Sequence, residues 1–244
     1  MDESIGPGFG AQKAVEQARI LTCQASRVLA TSGQTDMIWG HVGVRDPLGR
    51  GVWIKAPGWG LEEVTVERLQ LVTFEAEVLL GEGAPHKECH IHLEIMRTNP
   101  TVRCTVHTHA VAAVAFGALG VPLLPISHEA TLFGGDDVPR FAETGSLVSD
   151  PVLGIALARA LGSAPAALMP KHGLVTAGAT VPVAVMRAIL LERACAIQLA
   201  ASSAGGPRIW SDAAEAMAKR AQCWPDGQLT AGWLYLLRKT AATS

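Results

Sequence analysis

The sequence predicts an α/β protein with a single-domain αβα layered fold, in which helices cover a central mixed or antiparallel sheet. Short apolar segments typical of strands alternate with longer segments whose apolar residues recur at helical spacing. With 244 residues and 49% hydrophobic side chains, the chain is long and apolar enough to form one large core. It contains no internal repeat and no low-complexity segment. We therefore predict one domain over residues 11–244, after a flexible lead over residues 1–10.

The first third of the chain predicts one helix followed by paired strands. Residues 12–32 carry apolar side chains at roughly helical spacing and are followed by the turn-forming sequence TSGQTD. Residues 37–46 and 49–56 are typical of two strands paired around the turn DPLGRG. Residues 61–74 predict a short helix followed by a strand. The sheet is therefore expected to begin near residue 37.

The middle of the chain predicts alternating helices and strands. The expected elements are a helix over residues 90–99, a strand over 102–109, a helix over 110–120 and a strand over 122–127. The first of these helices stops before Pro100, since the residue that precedes a proline avoids the helical conformation. Residues 129–146 then form a loop-rich, acidic segment, of a kind that often borders active sites.

The last third predicts a second helix–strand–helix run. Residues 150–161 form a helix with Asp150 as its N-cap, residues 166–172 a strand, and residues 181–202 a long apolar helix. The remaining tail is amphipathic and helical, with a break at residues 225–227, PDG.

Composition excludes several classes of function. The net charge of −2 gives no electrostatic basis for binding nucleic acid or an anionic membrane. The longest apolar run is interrupted by glycine and proline and is too short to cross a bilayer. The five cysteines are odd in number, scattered and without a C-x-x-C pair, which favours reduced thiols in a cytoplasmic protein. We therefore expect neither nucleic acid nor membrane as a partner.

The residues most able to carry chemistry lie between positions 85 and 116. His107 and His109 fall on a predicted strand, where residues two apart point to the same face. Two adjacent imidazoles form half of a site for zinc, manganese or iron, which needs one or two further ligands. Glu88 and His172 are the candidates for those ligands.

The spacing of these four residues resembles that of the class II aldolase and adducin family. In that family a glutamate precedes an H-x-H pair by about nineteen residues, and a third histidine follows in an H-G-hydrophobic motif. Here Glu88 lies nineteen residues before His107, and His172 lies in KHGLV. Residues 40–47 (GHVGVRDP) and 52–65 (VWIKAPGWGLEEVT) also resemble family segments. The resemblance covers about residues 14–198.

The resemblance implies a fold, a cofactor and an assembly. It implies a class II aldolase-like fold that contains a meander of three strands. It also implies one divalent metal per subunit, Zn²⁺ or Mn²⁺ in preference to Fe²⁺, held by Glu88, His107, His109 and His172. Glu88 would in addition handle protons. Members form cyclic homotetramers with the site between subunits, and we expect the same homo-oligomer here.

Departures from the sugar-phosphate aldolases of the family indicate a different substrate. His41 replaces an Asn, Gly43 replaces a Ser, and His86-Lys87 replaces a Ser pair, so the hydroxyl donors suited to phosphate are missing. Lysine and imidazoles suit carboxylates instead. His41, His86 and Lys87, with Gly58 of the second glycine turn, are therefore the candidate substrate-binding residues.

The combined pattern is similar to a decarboxylase branch that acts on hydroxylated aromatic or pyridine carboxylates. His128 stands where the aldolases have a catalytic tyrosine, about nineteen residues after the second metal histidine. The candidate acid is His128 or His92, with Glu88 in support. The alternatives are an aldolase or dehydratase for a phosphorylated sugar or hydroxy-ketone, an Fe(II)-dependent oxygenase, and a non-catalytic adducin-like binding module.

Overall fold

An antiparallel seven-stranded sheet forms the centre of the structure. The structure is a computed structural model and describes residues 7–134 and 137–242. The strand order is β4-β3-β2-β1-β5-β7-β6. The strands are β1 (His41–Arg45), β2 (Val52–Lys55), β3 (Leu69–Val72), β4 (Val78–Leu80), β5 (Cys104–Thr108), β6 (Ala166–Met169) and β7 (Gly173–Gly178). The antiparallel form of the predicted central sheet is therefore the one observed.

Helices cover both faces of this sheet, which confirms the αβα layered fold. The helices are α1 (Pro7–Leu29), α2 (Cys89–Thr98), α3 (Val111–Leu119), α4 (His128–Thr131), α5 (Pro151–Leu161), α6 (Val181–Ser203), α7 (Ala213–Cys223) and α8 (Asp226–Ala241). Helices α1, α3 and α6 pack on one face, while α2 and α5 pack together on the other. Strand β5 lies between β1 and β7, and helices of both layers pack against it.

Alternation along β5 divides its side chains between the two layers. Cys104 and Val106 are buried in the apolar cluster beneath α1 and α6. Thr105 and His107 point the opposite way, because successive residues of a strand face opposite sides of the sheet. They are completely buried on the face that α2 covers. The chemistry-bearing face of β5 is thus the α2 side.

Two predicted elements differ from the structure. Residues 7–10 of the predicted lead belong to α1, and residues 1–6 lie outside the described part of the chain. The strand predicted over residues 122–127 is wrong. Two prolines there lack an N–H for a strand ladder, and side chains bind the backbone instead: Leu123 N–H donates to Asp137 and Leu124 N–H to Gln198.

Several other features match the sequence-based expectations. Asp150 caps α5 by accepting from the N–H of Leu153 at 2.9 Å. Helix α7 ends at Cys223 and α8 begins at Asp226, so the chain breaks at residues 224–225, and only Pro225 of the predicted break at 225–227 lies outside a helix. All five cysteines are free. Within residues 7–134 and 137–242, no helix has the length and apolar character needed to cross a bilayer.

Candidate metal and substrate site

Four side chains from three separate segments meet at one end of the sheet. His107 lies in β5 next to its last residue and His109 follows the strand, Glu88 is the N-cap residue of α2, and His172 lies in the turn between β6 and β7. One potential ligand atom from each lies within 4.8 Å of the others. The structure therefore brings together the four residues that the sequence predicted as metal ligands.

Glu88 supplies the negative charge among these imidazoles. Its Oε1 accepts from the N–H of Val148 at 2.9 Å and lies 3.5 Å from His172 Nε2, and its Oε2 lies 3.8 Å from His107 Nε2. Burial acts to raise the pKa of Glu88, but the neighbouring imidazoles of His172, His41 and His107 outweigh it and hold the pKa well below its usual range. Glu88 is therefore a carboxylate at neutral pH.

Backbone and side-chain acceptors determine which nitrogens of His107 and His109 are free. His107 Nδ1 lies 2.9 Å from the carbonyl of Leu174, and His109 Nδ1 lies 2.6 Å from Asp36 Oδ2. Each Nδ1 must therefore carry a proton and donate, so in a neutral ring the lone pair lies on Nε2. Burial lowers the pKa of His107 well below its ordinary value, so this imidazole is neutral. Nε2 is thus the nitrogen that each neutral ring can offer to an ion.

The arrangement of these free nitrogens fits a bound cation. The Nε2 atoms of His107 and His109 lie 3.1 Å apart. Both ring nitrogens of His172 are buried without a hydrogen-bond partner. Three imidazoles and one carboxylate are a donor set suited to zinc, manganese or ferrous iron, with a net charge of +1 once a divalent ion is bound.

Asp36 is a contributor that the sequence analysis did not single out. It orients His109 through the 2.6 Å contact with Nδ1. Carboxylates in this position raise the basicity of a ligating imidazole, and their loss typically costs 10–100-fold in metal affinity. We expect Asp36→Asn to weaken Zn²⁺ affinity by about tenfold, since the amide oxygen still accepts but carries no charge.

Competition titration of the metal-free protein with a chromophoric chelator measures this affinity. Glu75→Gln is the matched control, because Glu75 is an exposed acid whose carboxylate lies 3.9 Å from Arg97, away from the candidate ligands. Equal affinities for Asp36→Asn and the wild type would show that Asp36 does not support the metal site.

A depression of about 290 Å³ opens beside Glu88. It is lined by Ile38, Trp39, Pro57, Gly58, His86, Lys87, Glu88 and Leu147. Three of the four predicted substrate-binding residues, Gly58, His86 and Lys87, therefore lie together next to the candidate ligands. The fourth, His41, is completely buried beneath them, with its ring centroid 4.2 Å from that of His86.

Lys55 adds a second cationic group that sequence reasoning missed. It is completely buried, and its Nζ donates to the carbonyl of Ile38 at 2.7 Å. Burial lowers the pKa of Lys55 to about 8. Burial, and after it the charge of Lys55, lowers the pKa of His86 to about 4. The feature of the sequence that could have identified Lys55 is its position as a lysine at the end of the apolar strand VWIK.

The two candidate acids lie in different places. His92 is completely buried behind His41, and its nitrogens contact His41 Nδ1 and Thr105 Oγ1. His128 lies at the start of α4, where its carbonyl accepts from Trp224 Nε1 at 2.7 Å and its Nδ1 lies 3.4 Å from Cys223 Sγ. Within one described chain, the structure does not bring His128 to the Glu88 cluster.

Comparisons with known proteins agree with this geometry. Residues 21–199 match the family model described as Class II Aldolase and Adducin N-terminal domain. The chain is 31% identical over 199 residues to the 3,4-dihydroxyphthalate decarboxylase of Terrabacter sp. (strain DBF63), which covers 77% of this chain and 82% of that protein. It is 30% identical over 183 residues to the meiotically up-regulated gene 14 protein of Schizosaccharomyces pombe, over 74% of this chain and 71% of that protein.

A solved structure extends the similarity to the whole chain. The L-fuculose 1-phosphate aldolase of Glaciozyma antarctica PI12 superposes with a TM-score of 0.85 at 25% identity. The superposition covers 100% of this chain and 94% of that one.

Proposed function

Since the chain belongs to the class II aldolase and adducin family, we propose that it is a metal-dependent carbon–carbon lyase that decarboxylates a hydroxylated aromatic or heteroaromatic carboxylate or dicarboxylate. The observation that carries the proposal is the group of hydrogen-bond donors that lines the depression beside Glu88. His86 and Lys87 line it, and Lys55 lies buried close to His86. These donors suit carboxylates, and the similarity to a 3,4-dihydroxyphthalate decarboxylase supports the same choice.

The proposed reaction replaces a carboxylate by hydrogen. The bond between the ring carbon and its carboxylate breaks, its electron pair passes into the ring, and CO₂ leaves. One proton then forms the new C–H bond. Glu88, His107, His109 and His172 would hold a divalent cation, whose positive charge would stabilise the electron-rich ring oxygen.

Residues of this chain would bind and orient the substrate. Lys87, exposed at the mouth of the depression, attracts the carboxylate, while Trp39, Pro57 and Leu147 offer apolar surface for a ring. The ionised Glu88 stays positioned through its bond from the N–H of Val148. We keep His128 as the proposed acid only within a homotetramer, where a neighbouring subunit would bring it to the site.

A second candidate is retro-aldol cleavage of a sugar phosphate or hydroxy-ketone. The superposition on L-fuculose 1-phosphate aldolase over the whole chain favours it. The absence of the Ser hydroxyls at positions 43, 86 and 87 argues against a phosphate ligand.

The test is CO₂ release from ortho-hydroxy aromatic carboxylates and dicarboxylates, 3,4-dihydroxyphthalate included. The purified protein is loaded anaerobically with Mn²⁺, Zn²⁺ or Fe²⁺ in turn. We expect metal-dependent release of CO₂ with one or more members of the panel. No release, with aldehyde formed from sugar phosphates, would identify an aldolase, and oxygen uptake with Fe²⁺ in air would identify an oxygenase.

A further inference from the structure

Three completely buried side chains form a hydrogen-bonded chain that runs from β5 to the edge of the candidate site. Thr105 Oγ1 lies 2.5 Å from His92 Nδ1, and His92 Nε2 lies 2.6 Å from His41 Nδ1. The last nitrogen, His41 Nε2, is buried without a hydrogen-bond partner and faces Glu88 Oε2 at 3.9 Å. Because the chain is enclosed, its proton positions follow from its own donors and acceptors.

The Thr105 hydroxyl sets the direction in which protons are donated along these hydrogen bonds. Among the described residues, His92 Nδ1 is the only acceptor within reach of the hydroxyl hydrogen. If Thr105 donates to Nδ1, His92 carries its proton on Nε2 and donates to His41 Nδ1. His41 then carries its own proton on Nε2, which faces the site.

The opposite direction is unfavourable at both ends. It would leave the Thr105 hydroxyl hydrogen without an acceptor, and buried donors without partners are costly. It would also direct a lone pair of His41 Nε2 at the Glu88 carboxylate. Both side chains are completely buried, and burial disfavours a charged imidazole, so each ring carries a single proton.

Gly43 leaves the space that this hydrogen-bonded series of side chains needs. It pairs with Thr105 across β1 and β5, directly beside the His92 ring. A Cβ at position 43 would lie 2.5 Å from His92 Cγ and 2.7 Å from its Nδ1, closer than real Cβ atoms approach. The glycine that stands in place of a serine therefore leaves room for an imidazole.

We propose that Thr105 and His92 are positioning residues that hold His41 as an Nε2–H donor toward a substrate carboxylate bound beside Glu88. His92 then has both nitrogens engaged, which removes it as the acid of the reaction. The identity of the carboxylate ligand rests on the proposed function, whereas the proton positions do not.

The test combines a spectroscopic readout with ligand binding on the full-length Zn²⁺-loaded protein. ¹⁵N-histidine NMR, assigned with His41→Gln and His92→Gln, reports which ring nitrogen carries each proton. Titration with salicylate, and with catechol as the analogue without a carboxylate, reports selectivity. Thr105→Val keeps the branched shape and removes the hydroxyl, and Thr105→Ser keeps the hydroxyl.

We expect Nε2–H forms of both histidines in the wild type and in Thr105→Ser, and mixed forms in Thr105→Val. Salicylate affinity should fall about tenfold in Thr105→Val and recover in Thr105→Ser, while catechol affinity changes by less than about twofold. An Nδ1–H form of His41 in the wild type, or unchanged salicylate affinity in Thr105→Val, would overturn the proposal. Correct proton positions and carboxylate selectivity without CO₂ release would instead contradict only the proposed reaction.

Discussion

His107→Ala is expected to lose the metal and, with it, metal-dependent CO₂ release. His107 occupies the centre of the cluster: its Nε2 lies 3.1 Å from that of His109 and 3.8 Å from Glu88 Oε2. Its ring also packs against that of His172. Loss of a partner that only orients a ligand already costs 10–100-fold in affinity, so loss of this nitrogen should cost more than about a hundredfold.

The measurement is metal content per chain after dialysis, together with CO₂ release. His90→Ala is the matched control, because His90 lies on α2 near the cluster but is not one of its four residues. Alanine at position 107 also leaves the Leu174 carbonyl without its donor, so circular dichroism must show that the variant is folded. A folded His107→Ala protein with full metal content would refute the assigned ligand set.

The pairing of His107 with His109 was predictable because it depends on local geometry. A strand places residues two apart on one face, and the Nε2 atoms of His107 and His109 lie 3.1 Å apart at the end of β5. Glu88 and His172 were predictable only through the family resemblance, since nothing in their local sequence relates them to β5. Their meeting depends on the packing of α2 and of the β6–β7 turn on the sheet.

The supporting residues were not predictable, because they reach the site through pairings between distant segments. Asp36 meets His109 across 73 positions, and Thr105 meets His92 because β5 packs beneath α2. Strand β7 escaped detection since both of its faces are buried, so it shows no alternation of polar and apolar residues. His128, named from a family spacing, lies at the start of α4 within one chain, and its role as an acid stays a prediction.

Gly43→Ala is expected to destabilise the protein and to abolish activity. Both effects follow from the contact that the added Cβ makes with His92. The added Cβ would meet three His92 atoms, Cγ, Nδ1 and Cβ, at 2.5–2.8 Å. His92 is enclosed by His41 and Thr105, so the ring has no room to retreat. Overpacking of this kind costs about 1–3 kcal/mol, and displacement of His92 also breaks its bond to His41.

A double-mutant cycle with His92→Ala isolates that contact. Chemical unfolding of the metal-free proteins should show a large cost of Gly43→Ala in the wild type and almost none once the ring is absent. Gly227→Ala on α8 is the control, because a Cβ there meets nothing within 4 Å and a helical alanine is favourable. The double variant should be about as stable as His92→Ala alone and should be inactive, since His41 still lacks its partner. An equal cost of Gly43→Ala in both backgrounds would mean that room for His92 is not what requires a glycine in β1.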